Sequence, residues 1–120
     1  MLRAMLDRWL NNFERVWRYD ASYLRDVARA SPPSLVKFML GTRAMDRTAA
    51  PQDALFAASL AGVLSEDCGP CTQITVDMAL AQGLDAKVVG AVLAGDETQM
   101  GETAALAWRF ARASLARDMD

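Results

Sequence analysis

The stretch Gln52-Asp53-Ala54-Leu55-Phe56-Ala57-Ala58-Ser59-Leu60-Ala61-Gly62-Val63-Leu64-Ser65-Glu66-Asp67-Cys68-Gly69-Pro70-Cys71 decides how this chain is read. It joins an alanine-rich run to the only two cysteines, which are spaced C-x-x-C in a chain without histidine. Before the cysteines, Leu55, Phe56, Leu60, Val63 and Leu64 recur at helical spacing, so a helix is expected over 52–65. After the first cysteine, Pro70 has no N–H to donate and belongs in the first turn of a second helix. Ile74, Val76, Met78 and Leu80 continue that helix until Gly83 supplies a stop. Both thiols are therefore expected within the opening turns of that second helix.

Working outward, the same helical periodicity holds along the chain. Met5, Leu6, Trp9, Leu10, Phe13, Val16 and Trp17 form one wide apolar stripe over residues 5–19. A second helix is expected over 22–30, with Tyr23, Leu24, Val27 and Ala28 inward. Pro32 and Pro33 open a third, carrying Leu35, Val36, Phe38, Met39 and Leu40. Residues 43–51 lack periodicity and read as a linker or loose turn. Asp85 opens a short helix through Val88, Val89, Val92 and Leu93 that Gly95 closes, and a last helix is expected over about 98–117. The class is all-α, in a single domain over 1–120.

Composition narrows the functions. At 120 residues, 52% apolar and 23% charged, the chain is globular rather than disordered. Thirteen basic against 15 acidic residues give a net charge of −2, which offers no broad attraction for nucleic acid. No apolar run is long enough for a membrane span, and the N-terminus lacks the apolar core of a signal peptide. The expected compartment is the cytoplasm. In that reducing setting a C-x-x-C pair is redox-active or metal-binding more often than structural. Zinc asks for four ligands, and with no histidine and no second cysteine pair a metal site would need thiols shared between copies. No metal and no cofactor are expected.

A helix start suits thiol chemistry. Its free N–H groups and the positive end of the macrodipole favour a thiolate, the form that attacks disulfides and peroxides. Asp67 or Ser65 can cap that start. If the helix includes Asp67, that residue shares a face with Cys71. Glu66 and Asp67 place negative charge beside the sulfurs, where they can accept a thiol proton or simply complement the helix dipole. An isolated cysteine would read first as a small core residue, but a C-x-x-C pair at a proline-marked helix start is a narrower pattern.

Cys-Gly-Pro-Cys resembles the thioredoxin motif, but that fold places it after a β-strand, and helix precedes it here. The longer order fits another group. Gln52 to Ala61, Asp67-Cys68-Gly69-Pro70-Cys71-Thr72-Gln73, Met78 to Asp85 and Val88 to Gly95 together resemble the carboxymuconolactone decarboxylase superfamily, in its alkylhydroperoxidase-like branch. The resemblance covers about residues 52–116 and leaves 1–50 unassigned.

That resemblance implies a helical bundle assembling as a homo-oligomer, trimer or hexamer, with thiol peroxidase or disulfide reductase activity. It implies that Cys71 attacks a hydroperoxide and Cys68 resolves the product as a disulfide. A thiol reductant would close the cycle. The family pattern adds a histidine four residues after the second cysteine and a glutamate about a dozen before the first; here Thr75 and Phe56 lie at those places. Glu66, ahead of Asp67 and Asp53, is the expected substitute in the catalytic set Cys71, Cys68 and Glu66. Asp77 is expected to face solvent or a partner helix.

Two rivals stand beside the redox enzyme. One is a non-catalytic oligomeric redox sensor or structural module. The other is a decarboxylase like the superfamily's namesake, a branch that does not depend on a C-x-x-C pair. Three tryptophans and seven methionines on such apolar helices also argue for self-association, although Trp9, Trp17 and Trp108 individually read as core.

Overall fold

The computed structural model describes residues 1–44 and 48–117, and these form α-helices joined by short turns, with no strand among them. The elements are α1 (Leu2–Trp17), α2 (Ser22–Ala30), α3 (Pro32–Ala44), α4 (Gln52–Ser65), α5 (Gly69–Ala81), α6 (Ala86–Ala94) and α7 (Glu102–Ala116). They divide into two compact units, Met1–Asp46 and Arg47–Asp120. The division falls within the aperiodic 43–51 segment, of which 45–47 lie outside the described residues.

In the first unit Leu6, Leu10, Ala21, Leu24, Ala28 and Leu35 form the buried cluster, with Trp9, Phe13, Tyr19, Val36 and Met39 packed on it. The inward faces are narrower than the sequence stripes. Met5, Val16, Tyr23, Val27, Phe38 and Leu40 are exposed, because three short helices cover only one row of one another's side chains. A polar clamp fixes the α1–α2 corner. Glu14 accepts the Ala21 N–H through Oε1 at 3.1 Å and the Arg25 guanidinium through Oε2. Arg25 also donates to Asn11 Oδ1 at 2.7 Å. Arg18 ends α1 in the left-handed conformation (φ 49°) with its N–H on the Glu14 carbonyl.

In the second unit α4 packs against α5, α6 and, most extensively, α7. Its buried residues Phe56, Ala57, Leu60 and Ala61 meet a core that includes Val89, Val92, Met100, Ala104, Ala105 and Trp108. The alanines carry almost no rotamer entropy and let helix backbones approach closely. Trp108 is core, as read; Trp9 and Trp17 are half-buried.

Caps define both ends of α6. Asp85 accepts the Lys87 N–H at 2.7 Å to start α6, and Gly95 (φ 68°) ends it in the left-handed conformation that favours glycine. Gly83 (φ 88°) follows the end of α5. The last helix begins four residues later than its periodicity suggests. Asp96 takes both the N–H and the hydroxyl of Thr98 into a tight turn, and Gly101 (φ 83°) is not helical. No helix among the described residues is long and apolar enough to cross a membrane.

Candidate functional site

The site is the corner between α4 and α5. After Ser65 the chain leaves the helix through two turn bonds, Glu66 N–H to the Val63 carbonyl and Asp67 N–H to the Leu64 carbonyl, each 3.2 Å. Asp67 then adopts φ 51°, a left-handed conformation that aspartate tolerates better than most side chains. It stands in the turn between α4 and α5. Cys68 follows in an extended conformation (φ −99°, ψ 96°) as the N-cap of α5.

The cap is not the one expected. Ser65 turns its hydroxyl back to the Gly62 carbonyl at 2.6 Å, and Asp67 lies outside the helix in its left-handed turn. Cys68 caps α5 itself: its Sγ accepts the Cys71 N–H at 3.3 Å. Asp67 therefore does not share a helical face with Cys71. Pro70 stands in the first turn, where its missing N–H costs nothing. The Cys68 carbonyl accepts both the Thr72 N–H at 2.9 Å and the Thr72 hydroxyl at 3.0 Å. Thr72 was not singled out in the sequence; a threonine four residues after a helix cap is the signal that would have found it.

The two cysteines are joined as a disulfide across this first turn, with Cα atoms 5.3 Å apart, within the usual range. Both are half-buried. Two turns further along α5, Ala79 is buried in the core and Val76 packs beside it, which anchors the helix carrying the sulfurs. The disulfide thus sits at the start of a helix anchored in the core while remaining partly open to solvent.

The surrounding residues separate into those that adjoin the sulfurs and those that do not. Glu66 is exposed at the end of α4, next to the corner. Thr75, at the position where the resemblance implies a histidine, donates its hydroxyl to the Cys71 carbonyl at 2.8 Å. Phe56, near where the resemblance implies a glutamate, is buried core with 6% exposure and brings no carboxylate. Asp53 stands at the other end of α4, about 18 Å of helix from the corner at the standard rise per residue. There it accepts the Thr103 hydroxyl and so ties α4 to the start of α7. Asp77 accepts the Gln73 amide at 2.9 Å along the surface of α5. Among the described residues, no group of three or more cysteine or carboxylate side chains is placed to hold a metal ion.

No family model, no curated protein and no solved structure matches this chain. The family resemblance therefore rests on the order of motifs over 52–116.

Proposed function

We propose that the chain is a thiol–disulfide redox protein that cycles Cys68 and Cys71 between dithiol and disulfide. The observation that carries this reading is the pairing of its only cysteines across the first turn of α5, with one sulfur on a helix N–H. A helix start stabilises the thiolate, and partial exposure lets a second sulfur reach it. The resemblance to the alkylhydroperoxidase-like branch points the same way.

Between the two activities that branch offers, disulfide reduction asks less of this site. A disulfide departs as a thiolate, which needs no proton to leave. A hydroperoxide departs as an alkoxide or hydroxide, which does. This chain has no histidine, its threonine at the histidine position bonds to backbone, and Phe56 replaces a carboxylate with core. Where hydroperoxide is the substrate, Cys71 attacks, Cys68 resolves, and Glu66 is the carboxylate assigned to carry the proton.

A purely structural staple is the weaker alternative. On the chain-entropy model a bridge closing so short a loop contributes only about 2 kcal/mol, and it pins one helical turn rather than distant segments. A homo-oligomer, trimer or hexamer, is proposed as the working assembly. Leu106 and Phe110 lie one turn apart on α7 and are 61% and 66% exposed, the apolar face a second copy would cover.

The test is turnover. The reduced protein, supplied with a dithiol, is expected to reduce a small disulfide, and Cys68→Ser and Cys71→Ser are each expected to abolish it. Turnover that survives both substitutions would remove the dithiol from the function. A reversible disulfide without turnover would leave the sensor as the better reading.

A further inference from the structure

We infer that Cys68, not Cys71, is the sulfur that first enters a substrate disulfide. This rests on the dithiol reading above and reverses the order that the family resemblance implies for peroxide.

The argument is one of hydrogen-bond allocation at the helix start. Of the first three residues of α5, Pro70 has no N–H, so Gly69 and Cys71 supply the donors there. The Cys71 N–H goes to Cys68 Sγ at 3.3 Å. The hydroxyls that could have served Cys71 are engaged elsewhere. Thr72 donates to the Cys68 carbonyl at 3.0 Å, and Thr75 donates to the Cys71 carbonyl at 2.8 Å. Among the described residues one sulfur of the pair has a backbone donor and the other has none. Negative charge at Cys68 is met by that N–H and by the helix end, as at any side-chain cap, and a charged acceptor makes the stronger bond.

On reduction, Cys68 is thus the sulfur that ionises more readily, and the reacting form has Cys68 as thiolate and Cys71 as thiol. The Cys68 thiolate attacks one sulfur of the substrate disulfide; a new S–S bond forms, the substrate S–S bond breaks, and the first half leaves as a thiolate. That thiolate takes the Cys71 proton. The Cys71 sulfur attacks Cys68 Sγ, closes the Cys68–Cys71 bond and expels the second half. Two electrons pass from protein to substrate. A small dithiol returns them.

The single-cysteine variants read the order directly. Cys68→Ser keeps a good cap, since serine is among the preferred N-cap residues, and it leaves Cys71 as the lone thiol. Cys71→Ser leaves Cys68. Each is reduced, checked for helical content by circular dichroism, and mixed with glutathione disulfide. While the midpoint stays above the assay pH, each unit by which it falls raises the thiolate fraction about tenfold but costs about threefold in nucleophilicity, a net gain of about threefold. Cys71→Ser is therefore expected to form its mixed disulfide at least about threefold faster at neutral pH, with the lower midpoint by thiolate absorbance. In reduced wild-type protein, the Cys71 amide resonance should titrate with that same midpoint.

Faster trapping or a lower midpoint in Cys68→Ser would overturn the order and leave the dithiol function standing. Two folded variants that both fail to trap, with wild type unable to reduce glutathione disulfide, would overturn the function and the order together.

Discussion

The Thr75 hydroxyl donates to the Cys71 carbonyl one turn back along α5, at 2.8 Å. A residue one turn after the second cysteine is well placed to serve its sulfur, yet here its proton is committed to the backbone. Thr75→Val, which keeps the shape and removes the hydroxyl, should leave the rate of disulfide reduction within about twofold of wild type. Thr75→His should raise hydroperoxide consumption while changing disulfide reduction little, because it adds the acid–base group that only the oxygen leaving group needs. Steady-state assays with the two substrates side by side check both statements. A large loss of disulfide reduction in Thr75→Val would mean that the hydroxyl takes part in the chemistry.

Asp67 stands in the α4–α5 turn in a left-handed conformation, and its side chain is tolerated rather than required there. Asp67→Gly should leave stability unchanged or raise it by up to about 1 kcal/mol. Asp67→Val should cost about 1–2 kcal/mol, because a β-branched side chain resists the left-handed conformation. Urea denaturation of the oxidised protein measures both. Equal effects of the two substitutions would show that the carboxylate, not the backbone, is what matters.

Much of this was legible beforehand for a physical reason. Helix periodicity, Pro70 in a first turn, Asp85 as a cap and Gly95 as a stop are local signals, and the helices they mark stand where expected. The start of α7 was not legible, because Asp96 competes for the Thr98 N–H and Gly101 adopts φ 83°. The inward faces are narrower than the period implies in the first unit, where Tyr23 and Phe38 satisfy it yet stay 50% and 57% exposed. At the site, the cysteine spacing locates the pair, but the oxygen side chains of Ser65 and Asp67 are the caps that the sequence suggests. Sequence ranks oxygen side chains as caps; only the left-handed turn at Asp67 shows that the sulfur takes that place.

Gly95 and Trp108 link the α6 stop to the core. A Cβ on Gly95 would stand 3.7 Å from the Trp108 ring, ordinary contact, so the cost of Gly95→Ala comes from its φ of 68°. The expected loss is about 1–2 kcal/mol. Leu60→Ala, at a fully buried position of α4, should cost about 2–5 kcal/mol through lost burial and a residual cavity. Thermal melts of both variants should reproduce this ranking. A loss in Gly95→Ala as large as that in Leu60→Ala would point to a packing defect at Trp108 instead.

Tyr23 gives the first unit a pH dependence on the alkaline side. Burial, then a hydrogen bond to Tyr19 and that neighbour's charge, raise its pKa from 10.0 to about 12. The folded state thus holds the proton more tightly than the unfolded chain. Its stabilisation is complete below about pH 10 and is lost as pH rises towards about 12. Since Tyr23 is 50% exposed, the slope should be shallow. Tyr23→Phe should flatten it, seen by comparing urea midpoints of variant and wild type across that range. Identical pH dependence in the two proteins would remove Tyr23 as the cause.

The central claim is that Cys68 and Cys71 form a working redox couple rather than a fixed bridge. Its most direct measurement is equilibration of the native protein in graded mixtures of reduced and oxidised dithiol, with the Cys68–Cys71 disulfide quantified by mass after alkylation. The account predicts one reversible two-electron transition, reached identically from the oxidised and the reduced side, with the helical circular dichroism retained throughout. A disulfide that yields to reductant only when the protein is unfolded would contradict it.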